Sequence, residues 1–179
     1  VGFIDSYRPA GEVESGHPIL GDEQSLLSLA AEHELVGLIV AIGDNHIRKK
    51  VVDKIAAICP SLPLVAAVHP RANIGREVVI GPGTVVMAGA SVNPASHIAR
   101  GCILNTHCSL DHDSKMGEFS SLAPSSTTGG NCSIGAGAAV GIGATLIHSI
   151  TVGENTVVGA GATVLQDLPA SVVAYGTPA

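Results

Sequence analysis

Tryptophan is absent from this 179-residue chain, and only two Phe and two Tyr are present. Large rings supply much of the buried area in an ordinary globular core. Here Ala, Val, Ile and Leu must fill the interior, which favours a thin core built from many repeated layers. Charge is scarce as well. Only 13% of residues are charged, the net charge is −6 and no basic stripe occurs, so nucleic acid is not expected as a partner. The four cysteines, Cys59, Cys102, Cys108 and Cys132, form no CxxC pair and lack the density of a disulfide scaffold. With no secretory leader pattern, the expected setting is cytoplasmic with reduced thiols. Phe119 to Gly153 contains no Asp, Glu, Lys or Arg, and about 20 apolar residues suffice to cross a bilayer. That stretch is dense in Gly, Ser and Thr and keeps a period of six, so no membrane span is expected.

What is present is regular. Stepping by six from Ile74 gives Ile80, Val86, Val92, Ile98, Leu104, Leu110, Met116, Leu122, Thr128, Ile134, Val140, Leu146, Val152, Val158 and Val164; fifteen of these sixteen positions are aliphatic or Met, and Thr128 is the exception. The next position is Gly in half the hexads, among them Gly75, Gly117, Gly135 and Gly159. The fifth is mostly small, as in Thr84, Ala90, Cys102, Ser114 and Ala138. A period of six is neither 3.6 nor plain alternation. It fits a short strand plus a corner, with one aliphatic and one small residue inward and Gly relieving the corner backbone. Three such edges close a triangular coil, and coils stack at ~4.8 Å.

The [Ile/Val/Leu]-Gly-x-x-small-x hexad resembles that of the left-handed parallel β-helix acyltransferases. The hand is implied by the resemblance, since the usual crossover rule is right-handed.

The first seventy residues alternate differently. Val1–Ile4 reads as a strand ending at Asp5. Asp22 caps a helix running to His33. Gly37–Gly43 reads as a buried strand, Asp44-Asn45 as the cap of a helix over Ile47–Ile58, and Leu64–Val68 as a further strand. Strands alternating with helices imply a small parallel sheet. Ligands of such sheets gather beyond strand ends at helix N-termini. Free amides after Gly43, followed by Arg48, Lys49 and Lys50, suit a phosphate, although a charge run on a helix is as a rule a solvated face.

This layout resembles the bacterial sugar acetyltransferases whose β-helix follows a small nucleotide-sugar domain. They include N-acetyltransferases of UDP- or dTDP-linked 4-amino-sugars and the sialic acid O-acetyltransferases. The residues carrying the likeness are Gly2-Phe-Ile-Asp5, Pro18-Ile-Leu-Gly21, Ala41-Ile-Gly-Asp-Asn45, Asn105-Thr106, Asp111-His-Asp113 and Gly176-Thr-Pro178. The family opens with a strand and a Gly-rich turn that do not precede Val1, so the first domain is expected to lack its first strand and helix.

His112 is the candidate base. A carboxylate beside it fixes its tautomer and raises its basicity, and a neutral imidazole suits removal of a proton from an attacking amine. The resemblance implies His112 as general base with Asp113 orienting it. Gly130 lies eighteen residues on, in the same column as His112 and His148. A Gly above the base leaves open space and an accessible N–H for the oxyanion, the role the resemblance gives it. The resemblance also implies acetyl-CoA contacts at Ile142, Gly159, Ala160 and Gly161, and Ser121 stands where the family often has a second His. Asp5, Gly43, Asp44, Asn45 and Asn105 are the substrate-binding candidates. His107-x4-His112 resembles the His pair of the β-helical carbonic anhydrases, but Arg71 occupies the place of the third ligand, so no metal is expected.

The sequence thus predicts a mainly β protein: residues 1–68 as a small α/β, partial Rossmann-like nucleotide-sugar domain and residues 69–179 as a left-handed parallel β-helix. The expected function is acetyl-CoA-dependent N-acetylation of a nucleotide-linked amino-sugar in bacterial glycan biosynthesis. It is expected to act as a homotrimer with active sites between subunits. Sialic acid O-acetylation, a non-catalytic β-helical scaffold and a zinc enzyme are the alternatives.

Overall fold

Each hexad folds into a two-residue strand and a four-residue corner. The computed structural model describes residues 1–179, and in it the strands of the repeat from Ala67–Val68 to Thr145–Leu146 each pair in parallel with the one eighteen residues on, as Ser91 does with Ser109 and Ser121 with Ala139. Three sheets result, of seven, six and five strands. The first face runs from Ala67–Val68 to Val173–Ala174, the second from Asn73–Ile74 to Thr163–Val164, and the third from Val79–Ile80 to Thr151–Val152.

The aliphatic and small columns both point inward. Leu104, Leu110, Leu122, Ala138, Ala144 and Val152 are fully buried in one continuous core. Burial of a hydroxyl costs energy unless it is bonded. The inward Ser120 and Ser126 therefore donate to the carbonyls of Gly117 and Ala123, each at 2.8 Å, and no buried side-chain polar atom lacks a partner. Cys102, Cys108 and Cys132 fill the small column as packing residues. Burial pushes the Cys108 thiol up to about 12.

The second-position glycines do not relieve the corner backbone. The left-handed residue is the fourth of the hexad, where Glu77, His107, Asp113, Phe119, Asn131 and Asn155 all have positive φ. The second-position Gly instead answers a close approach by the next coil: a Cβ on Gly117 would lie 2.5 Å from the Ala136 nitrogen. The eighteen-residue coil also shortens at its end. Val152 pairs with Leu168 and Val157 with Val173, sixteen residues on.

The chain divides into two compact units, residues 1–38 with 50–64, and residues 39–49 with 65–179. In the first, β1 (Phe3–Ile4) lies parallel to β3 (His17–Gly21), and β2 (Val13–Glu14) joins β3 as an antiparallel hairpin that the sequence reading missed. Asp22 accepts from the Ser25 amide at 3.0 Å and starts a turn that leads into α1 (Leu26–Glu32). Leu26, Cys59 and Leu62 centre this unit's core. The expected Gly37–Gly43 strand does not form. Only Leu38 finds a partner there, Leu64, in an isolated bridge, and one opposed residue makes no ladder. Ala67–Val68 is a strand, but it is the first of the β-helix and pairs with Val85–Val86. The helix after Asp44 forms as α2 (Asn45–Ile58).

Candidate active site

The structure sorts the candidate residues onto two corners of the β-helix. His112, Asp113 and Gly130 lie between the second and third faces. Asn105, Ile142, Gly159, Ala160 and Gly161 lie between the first and second. One side of the coil is six residues long, so at one level of the column the two corners stand up to about 20 Å apart.

At the first corner, His112 Nδ1 is 2.8 Å from Asp113 Oδ2. Asp113 is the left-handed residue of its hexad, with φ of +57°, and Asp tolerates that conformation better than most residues. The turn carries its carboxylate back to the preceding ring. Both side chains are exposed. Asp113, by its hydrogen bond, and then Asp111, by its charge, raise the His112 pKa above its ordinary value. Asp111 accepts from Asn93 Nδ2 at 2.5 Å and from the His112 amide at 2.8 Å, bonds that lower its own pKa. Asn93, one coil below Asp111 in the same column, was not singled out in the sequence; the eighteen-residue spacing is the signal that locates it.

Gly130 does not leave an empty space above His112. The imidazole itself occupies it: a Cβ on Gly130 would lie 2.5 Å from both Cε1 and Nε2 of His112. With Nδ1 bonded to Asp113, Nε2 is the nitrogen beside Gly130. Third-position amides such as that of Gly130 donate to no main-chain carbonyl. Proline at 82, 94 and 124 occupies the same position, where no donor is needed.

At the second corner Ile142 is exposed, and the side-chain positions of Gly143 and Gly161 face open space. Gly159 is packed more tightly, since a Cβ there would meet Tyr175 Cβ at 3.0 Å. Asn105 Oδ1 accepts from the Thr106 amide at 2.8 Å.

The residues around Gly43 are engaged with their own unit. Asp44 Oδ1 caps α2 through the Ile47 amide at 2.8 Å. Asn45 Nδ2 donates to Ser121 Oγ and to the Gly137 and Ala138 carbonyls at 3.1–3.2 Å. Ser121 is thereby a docking partner of Asn45. Arg48 is buried and points all its donors at neutral acceptors: the carbonyls of Ile42, Gly43, Gly101 and Phe119, and Asn45 Oδ1. Desolvation lowers its pKa, and none of its donors remains for a phosphate. Asp5 accepts from the Tyr7 amide at 2.8 Å. No helix is long and apolar enough to cross a membrane.

Two family models match the chain, the PglD N-terminal domain over residues 1–55 and the bacterial transferase hexapeptide (six repeats) over residues 131–166. No curated protein sequence matches it. Among solved structures it is similar to a histidine-to-asparagine variant of perosamine N-acetyltransferase from Caulobacter crescentus in complex with CoA and GDP-perosamine. The identity is 38% over 99% of this chain and 82% of that one, with a TM-score of 0.92. It is also similar to the acetyltransferase domain of PglB from Neisseria gonorrhoeae in complex with acetyl coenzyme A (34% identity, 99% and 83% covered, TM-score 0.91). WeeI from Acinetobacter baumannii is a third such structure (25%, 99% and 83%, 0.89). On the strength of the three-sided hexad column, the small N-terminal unit and these likenesses, the chain belongs to the hexapeptide-repeat sugar acetyltransferases, acyltransferases on a left-handed β-helix that use acetyl-CoA as cosubstrate.

Proposed function

We propose that the chain transfers the acetyl group of acetyl-CoA to the amine of a nucleotide-linked 4-amino-sugar in bacterial glycan biosynthesis, with His112 as general base. The observation that carries this reading is the 2.8 Å bond from His112 Nδ1 to Asp113, with the ring packed over Gly130, whose amide donates to no main-chain carbonyl. Donation from Nδ1–H to Asp113 leaves the lone pair on Nε2 to accept a proton. The sugar nitrogen attacks the thioester carbon as Nε2 takes its proton. The Gly130 N–H stabilises the oxyanion of the tetrahedral intermediate. Collapse of that intermediate breaks the C–S bond, and the imidazolium returns the proton to the CoA sulfur. The products are the amide and free CoA thiol. A relative that binds CoA together with GDP-perosamine supports an amine as acceptor.

The two-corner arrangement supports a homotrimer. The acetyl-CoA candidates Ile142, Gly159, Ala160 and Gly161 lie a full face away from His112, and the corner of a second copy is the simplest way to bring such groups together. Asn105 and the Gly43–Asn45 segment remain the candidates for holding the nucleotide sugar through main-chain groups. Action in the cytoplasm fits four free thiols and the supply of acetyl-CoA there. The test is acetyl transfer to GDP-, UDP- and dTDP-linked 4-amino-sugars by the parent and by His112→Ala. Loss of about 10²–10⁴-fold in kcat is expected; parent-like turnover by the variant would overturn the assignment.

A further inference from the structure

Thr128 is the one polar residue in the aliphatic column, and it sits one coil above the strand that leads into His112. From Gly75 to Ile147, every other second-position amide donates to the first-position carbonyl one coil on, as Asn93 does to Leu110, Gly117 to Ile134 and Gly129 to Leu146. Asp111 departs from this pattern: its N–H goes to the Thr128 hydroxyl, Oγ1, at 3.0 Å. One ladder pair is missing at the same place, with the eighteen-residue register kept on either side. Ser109 opposes Thr127, but Leu110 has no Cα partner in Thr128, although Thr128 pairs normally with Leu146 on its other side. Thr128 is 7% exposed, and its hydroxyl is tolerated there because the Asp111 amide bonds it; Val at this position would fit the repeat. The exchange therefore gives the residue preceding the base a side-chain acceptor where the other second positions from Gly75 to Ile147 have a main-chain one.

We propose that Thr128 is a positioning residue for His112: its hydroxyl replaces the main-chain acceptor of the Asp111 amide and so sets the corner from which the imidazole projects. The inference rests on the reading of His112 as base. Asp111 is then fixed by four bonds, none of which is the ordinary ladder bond: its amide donates to Thr128 Oγ1, its carboxylate accepts from Asn93 Nδ2 and the His112 amide, and its carbonyl accepts from Ser96 Oγ. Restoring that bond would draw Asp111 toward the Thr128 carbonyl and turn the corner, moving the ring relative to Gly130.

The test uses the full chain with acetyl-CoA and whichever GDP-, UDP- or dTDP-linked 4-amino-sugar the parent turns over fastest. Thr128→Val keeps the shape and removes the hydroxyl; Thr128→Ser keeps the hydroxyl. For Thr128→Val a loss of on the order of tenfold or more in kcat is expected, since small misplacements of a catalytic group are costly. Its KM values should stay within about twofold, because substrate contacts are untouched. Its melting temperature should hold or rise, because an aliphatic residue rejoins the column. Thr128→Ser should keep kcat within about threefold of the parent. Parent-like kcat in Thr128→Val, a lowered melting temperature in that variant, or equal damage in Thr128→Ser each overturns the proposal. An inactive His112→Ala beside a fully active Thr128→Val removes this inference alone; an active His112→Ala removes the base and this inference together.

Discussion

Gly130→Ala should disable the enzyme while leaving its fold intact. The methyl carbon would lie 2.5 Å from Cε1 and Nε2 of His112, and ordinary contact begins at 3.4 Å. The ring must therefore retreat by about 0.9 Å. It can do so at little cost to the fold, because the His112 side chain is 59% exposed and swings into solvent. The backbone at Gly130 has no positive φ, so Ala adopts it without strain, and loss of Gly flexibility in the unfolded chain adds about 0.4–1 kcal/mol of stability. The main-chain amide at this position would still be present to meet the oxyanion. What fails is the aim of the base. A displacement near 1 Å costs about 10²-fold in rate, or about 2.7 kcal/mol of barrier. Thiol release at saturating acetyl-CoA gives kcat, and thermal unfolding gives the control. A Gly130→Ala protein whose kcat stays within about threefold of the parent would refute the reasoning. So would one whose melting temperature collapses.

Three further outcomes follow from the same geometry. Gly135→Ala aims its methyl at the Glu154 nitrogen, 2.5 Å away in the next coil. Main chain cannot swing aside, so about 1–3 kcal/mol of stability should be lost, and an unchanged denaturation midpoint would contradict this. Asp113→Asn removes the largest cause of the raised His112 pKa. The base works when neutral, so kcat/KM rises with pH through that raised pKa; in the variant the midpoint should move down toward ~6.5, and a stationary midpoint would rule out His112 as the titrating group. Arg48→Met leaves the Gly101 and Phe119 carbonyls without their Arg48 donor. At about 1–3 kcal/mol for each unsatisfied buried group, urea unfolding should show a loss of about 3 kcal/mol, and no loss would mean that water replaces the guanidinium.

The column was legible because its period is local: one aliphatic and one small residue per hexad specify an inward face wherever the hexad lies. The contacts between coils were not. Gly117 reads as a corner glycine in one hexad, and only the Ala136 nitrogen of the coil above shows that it answers crowding. The left-handed residue went unnoticed because it carries no single side chain, only a leaning toward Gly, Asn, Asp and Ser. Arg48 shows a second limit. Its place in a basic run suggested solvent or phosphate, yet its partners Gly101 and Phe119 are more than fifty residues away in sequence. The apolar run at Gly37–Gly43 failed as a strand for the same reason, since a ladder depends on a partner that local sequence does not supply.

The position of the proposed base along so regular a column follows from stacking. Two histidines occupy a third hexad position, His112 and His148, and they share one corner two coils apart. Each is followed by a left-handed residue, Asp113 with φ of +57° and Ser149 with φ of +60°. The same backbone turn therefore offers each ring the side chain that follows it. Asp113 reaches Nδ1 of His112, whereas Ser149 instead accepts from Asn131 Nδ2 at 3.3 Å. His107 stands at the fourth position, on the other corner, with its Nδ1 against Gly89. Only at His112 do a third-position imidazole, an acid behind it and a glycine above it coincide. The repeat supplies the scaffold at every corner, and the side chains at positions 112, 113 and 130 single out the corner proposed above to move a proton.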